Sequence, residues 1–169
     1  MEILVHFDTF GTALPNSANQ RNVSCNYKMT LEYKIANLET HPVKERLNKI
    51  ELDLIDFINI NGYFEFYIEN RIILKQDYWN VGELALQLIE WKRNGLHGDF
   101  AYECIDTEEE QLFSFKHVTG GFLFISEWAD KISEIILDRN LIEEFIDNYS
   151  KTVKQEIKEE LGFDVSKFL

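Results

Sequence analysis

Between residues 25 and 35 the chain alternates almost perfectly. Cys25, Tyr27, Met29, Leu31, Tyr33 and Ile35 are separated by Asn26, Lys28, Thr30, Glu32 and Lys34. A period of two sends successive side chains to opposite faces of a strand, so every apolar group falls on one side. The other side is wet, which a parallel sheet with both faces covered does not tolerate. This stretch therefore commits the chain to an antiparallel sheet with one buried face.

The rest of the chain is read against that sheet. Residues 2–10 alternate weakly through Ile3, Val5 and Phe7 and predict a first strand, and residues 11–23 read as a loop. Residues 41–49 suggest a short helix with Pro42 at its first position. Ile50, Leu52 and Leu54 start a strand running to Ile60, and Asn61-Gly62 is a candidate hairpin turn. Tyr63–Ile68 returns as a strand with Tyr63 facing away from Phe64 and Phe66. Glu69-Asn70 then turns into Ile72–Leu74.

Residues 80–94 predict a helix. Asn80 is placed as N-cap with Glu83 completing a capping box, and Gly95 as the left-handed stop. Val81, Leu84, Ala85, Leu88 and Trp91 form its apolar face, widened by Leu86 and Ile89. Three strands follow, Phe100–Ile105, Leu112–His117 and Phe122–Trp128, joined by the acidic turn Asp106–Glu110 and by Thr119-Gly120-Gly121.

Residues 138–161 predict the longest helix. Asp138 caps it, Gly162 ends it, and Ile142, Ile146, Tyr149, Val153 and Ile157 lie at helical spacing. The final residues fray or fold back through Phe163 and Phe168. Strands, a helix, more strands and a last helix, without βαβ alternation, predict an α+β fold: an antiparallel meander sheet with both main helices packed on one face. With 169 residues, 13 Phe and an apolar content of 45%, one domain over 1–169 can bury its own core.

Charge is unevenly distributed. The net charge is −13; residues 1–50 carry +1, residues 51–110 carry −10 and residues 111–169 carry −4. The acidic balance disfavours sequence-independent nucleic-acid binding and docking on anionic membranes. The amino-terminal stretch lacks a basic start with a long apolar run, and no segment approaches a bilayer span, so the expected location is the cytoplasm. Cys25 and Cys104 stand alone and read as small apolar residues.

The residues name no catalytic chemistry. His6, His41, His97 and His117 are not paired at helical spacing for a metal. No nucleophile elbow or phosphate-binding glycine loop occurs, and 106–110 lacks the ligand spacing of a calcium loop. No cofactor, metal or catalytic residue is assigned. What stands out is the run Glu103, Asp106, Glu108, Glu109 and Glu110, with Glu51, Asp53 and Asp56 in the same third of the chain. Brought together, these carboxylates would form one anionic surface that steers a basic protein toward it.

The stretch N-G-Y-F-E-F-Y-I-E-N-R-I-I-L, followed by V-G-E-L-A-L-Q-L-I-E-W, then G-D-F-A-Y-E-C and a long charged helix, resembles small acidic bacterial immunity proteins in size, charge and layout. These are the antitoxin partners of secreted or contact-dependent toxins. The resemblance implies stoichiometric, non-catalytic neutralisation of a cognate toxin, a basic nuclease being one such partner. Carboxylates would then lie where nucleic-acid phosphates bind. It transfers no individual residue. Two other classes stay open: a small-ligand-binding protein or enzyme with a pocket between helix 80–94 and the sheet, and a structural subunit pairing through exposed strands or the long helix.

Overall fold

The computed structural model describes residues 29–40, 52–105, 112–126 and 135–169. The readings of residues 2–10, 11–23 and 41–49, and of the acidic turn 106–110, lie outside these. The described strands form two antiparallel sheets rather than a single meander. The first has the order β1 (Leu31–Thr40), β2 (Ile60–Ile68), β3 (Arg71–Asn80); the second runs β4 (Phe100–Tyr102), β5 (Phe113–Val118), β6 (Gly121–Ile125), β7 (Ile136–Leu137). Helices α1 (Leu54–Ile58), α2 (Val81–Arg93) and α3 (Arg139–Glu156) complete the α+β fold, and α3 continues as a π-helical segment, Ile157–Leu161.

The alternation of residues 31–35 is realised. Glu32 and Lys34 are exposed, Leu31 and Tyr33 are half-buried and Ile35 is buried. Opposite, Phe64, Phe66 and Ile68 of β2 are buried, while Tyr63 and Tyr67 turn outward. Glu69 and Asn70 form the β2–β3 turn, both left-handed at φ 52° and 61°, as a two-residue hairpin of this twist requires.

Two expectations in the preceding stretch fail together. Residues 54–58 are helical, because Asp53 and Asp56 cap each other's backbone: the Asp56 N–H donates to Asp53 Oδ1 at 2.9 Å and the Asp53 N–H to Asp56 Oδ2 at 3.3 Å. A reciprocal cap outweighs the short apolar alternation on which a strand reading rests. Asn61-Gly62 is no turn; both lie inside β2, paired with Asn80 and Trp79 of β3. Gly62 sits where the strands approach closely: a Cβ there would lie 2.7 Å from Leu38 Cδ2 and 3.1 Å from the Ala36 carbonyl oxygen. Those atoms flank a bulge in β1 between Ala36 and Glu39, where Asn37 has φ 54°. The bulge frees the Leu38 N–H, which donates to Glu160 Oε2 at 2.7 Å.

The long helices pack on the aromatic inner residues of the two sheets. Tyr149 meets Phe64 with ring centroids 6.0 Å apart, Phe145 meets Phe66 at 5.4 Å, and Trp91 meets Phe115 at 6.0 Å. Phe66 reaches Phe124 of the second sheet at 4.8 Å, so one aromatic core joins the two sheets. Asp138 caps α3 through Leu141 N–H at 2.9 Å. Gly162 closes the helical run at φ 81°. The C-terminal residues then fold back, burying Val165 and stacking Phe168 on Phe57 at 4.9 Å.

Candidate partner-binding surface

The first turn of α2 collects two distant parts of the chain. Gly82 lies under α1, and a Cβ there would fall 2.1 Å from the Phe57 carbonyl oxygen. Its neighbour Glu83 is buried, and Glu83 Oε2 accepts the Ile105 N–H at 3.3 Å and the Tyr102 hydroxyl at 3.4 Å. Glu83 therefore does not close a capping box with Asn80. It reaches sideways to fix the end of β4, and the Asn80 side chain makes no cap hydrogen bond. One turn further on, Gln87 Nε2 donates to the Glu103 carbonyl oxygen at 2.8 Å. Burial pushes the Tyr102 phenol far above its ordinary range, so it stays a neutral donor.

Of the expected contact residues, Asp53 and Glu103 are exposed, one beside each arm of this junction. Asp56 is buried, and its carboxylate serves the α1 cap. Glu51, Asp106, Glu108, Glu109 and Glu110 lie outside the described residues. Both described ends of the 106–110 run are anchored: Ile105 by Glu83, and Leu112 by its N–H donating to the Tyr102 carbonyl at 3.0 Å.

The same junction exposes three apolar residues from stretches expected to be strand. Leu54 is 48% exposed, Ile55 63% and Ile105 67%. Large aliphatic side chains this open to water, set beside carboxylates, are what an interface core with a charged rim requires. Their signal in the sequence is faint, because an exposed leucine or isoleucine looks like any core residue until its face is known.

A second polar cluster occupies the outer face of the first sheet. The Tyr63 hydroxyl donates to Glu65 Oε1 and the Tyr67 hydroxyl to Glu65 Oε2, the latter at 2.5 Å. Lys75 Nζ approaches Glu65 at 3.5 Å, and Lys34 lies over the Tyr63 ring at 5.3 Å. The two phenols hold the Glu65 carboxyl below its ordinary range, and the carboxylate in turn raises both phenols. Both Glu65 carboxylate oxygens are bonded within the sheet, which marks the cluster as reinforcement of the wet face.

Among the described residues, no three His, Cys, Asp or Glu side chains gather to hold a metal. No described helix is long and apolar enough to cross a membrane. Cys104 is half-buried and not disulfide-bonded.

No curated protein and no solved structure matches the chain. A family model matches residues 31–159, from the first residue of β1 into the π-helical end of α3. The chain belongs to that family, a domain of unknown function designated DUF7878.

Proposed function

We propose that this chain is a non-catalytic acidic binding protein that captures a basic protein partner through the surface at the first turn of α2. The finer reading is an immunity protein, acting in the bacterial cytoplasm, whose partner is a cognate toxin. The observation that carries the proposal is the junction itself: consecutive residues Gly82 and Glu83 hold α1 and the end of β4. The flanks of both acidic stretches thereby meet at one turn. Residues 51–110, with net charge −10, supply the field, which accelerates encounter with a cationic surface. Leu54, Ile55 and Ile105 supply apolar area, each worth about 1.5–3 kcal/mol when fully buried.

In this reading Asp53 and Glu103 make direct contacts together with Glu51, Asp106, Glu108, Glu109 and Glu110. Asp56, held in its cap, contributes through the field. The test is co-expression with the adjacent reading frame. Growth arrest caused by that product and relieved by this chain, but not by an Ile55→Asp/Ile105→Asp variant of equal abundance, is the expected result. Undiminished rescue by the variant would remove the surface from the account, and a harmless neighbour would remove the toxin.

A further inference from the structure

The opposite end of α2 has the opposite sign. A groove of about 470 Å³ runs between α2 and α3, lined by Lys92, Arg93, Lys151 and Lys154 against one acidic side chain, Asp147. Residues 51–110 contain only four basic side chains, Arg71, Lys75, Lys92 and Arg93; two of the four open onto this groove. The helix dipole favours cations at the end of α2, but it does not bring Lys151, from the body of α3, to the same concavity. Lys92 pairs with Asp147, and Lys154 donates to the Leu169 main-chain oxygen. Arg93 and Lys151 are exposed and have no ion-pair partner among the described residues. Ile89 and Leu169 contribute apolar wall, and the volume lies within the range of about 300–1,000 Å³ usual for small-molecule sites.

We infer that this groove binds a phosphate dianion carried by a nucleotide-sized molecule, with Arg93 and Lys151 as its principal ligands. Two unpaired cations match the charge of one phosphate, about −1.5 to −2 at neutral pH. The planar guanidinium of Arg93 can grip two phosphate oxygens at once. Ile89 and Leu169 suit the less polar body of such a molecule. The site lies at the far end of α2 from the proposed partner surface and stands or falls independently of it.

Calorimetric titration of the full chain tests this with ADP, inorganic pyrophosphate, citrate and adenosine. ADP and pyrophosphate are expected to bind and to raise Tm, with adenosine inert and citrate at least tenfold weaker. Arg93→Glu/Lys151→Glu, both on exposed positions, should weaken ADP binding by about 100-fold while leaving the unliganded Tm unchanged. Lys34→Glu/Lys75→Glu, on the outer face of the first sheet, should bind ADP as the parent does. The inference is overturned by a folded parent chain that binds neither phosphate, or by undiminished binding in the first variant. It is equally overturned by citrate binding as tight as pyrophosphate, or by equal weakening in the second variant, which would indicate a diffuse charge effect.

Discussion

At its first turn α2 is pressed against other parts of the chain: Gly82 under the backbone of α1, Glu83 against the end of β4. At its last turn it is closed by its own backbone. The Gly95 N–H donates to the Lys92 carbonyl at 2.9 Å and the Leu96 N–H to the Trp91 carbonyl at 3.0 Å, a Schellman stop with Gly95 at φ 75°. The first end is tertiary in origin and leaves acidic and aliphatic side chains outside. The second is local in origin and leaves Lys92 and Arg93 facing a groove. One helix thus joins two surfaces of opposite charge, and only the second end follows from rules that act within a few residues.

The largest effect separating the two ends should come from Gly82→Ala. The added methyl has no room unless α1 moves, so a loss of about 3 kcal/mol is expected, read as a fall of about 6–12 °C in Tm for a domain of this size. A neutral result would mean that α1 does not rest on that turn. Glu83→Ala strands the Ile105 N–H and removes one acceptor from Tyr102, at a cost of about 2 kcal/mol. Amide exchange at Ile105 and Leu112 should speed up together, whereas exchange near Gly95 should not change. Gly95→Ala forces an alanine into the left-handed region and should cost about 1 kcal/mol, with its exchange effects confined to residues 92–97. Smallest of all, Ile105→Ser should change stability by less than about 0.5 kcal/mol, as surface substitutions usually do, yet weaken partner binding about tenfold or more.

The same contrast governs what could be read from the chain before its fold was known. The Asp138 cap, the Gly95 and Gly162 stops, the Glu69-Asn70 turn and the apolar stripes of α2 and α3 depend on neighbours within one or two turns, and all are present. Asn61-Gly62 misled because glycine serves two ends: it allows a left-handed turn, and it allows close approach. At Gly62 the second applies, set by Leu38 and Ala36 from another strand. Glu83 misled in the same way, since its acceptor geometry is decided by Tyr102 and Ile105, not by Asn80. Asp53 and Asp56 did carry a local signal, a reciprocal cap three residues apart, which the apolar alternation of Ile50, Leu52 and Leu54 concealed. The acidic stretches were visible in the composition, but the meeting of their described flanks, α1 and Ile105, at one helical turn depends on two long-range contacts that no local pattern encodes.

That meeting is the claim on which the partner-binding account rests, and a distance measures it directly. Spin labels at Ile55→Cys and Ile105→Cys, with Cys25 and Cys104 replaced by serine, report the separation of the two arms by pulsed electron resonance. Arms held by adjacent residues of one turn, each about 5 Å in pitch, should give a single narrow distribution centred below about 20 Å. A broad distribution, or one centred beyond about 30 Å and so approaching the full width of a domain of this length, would contradict the account.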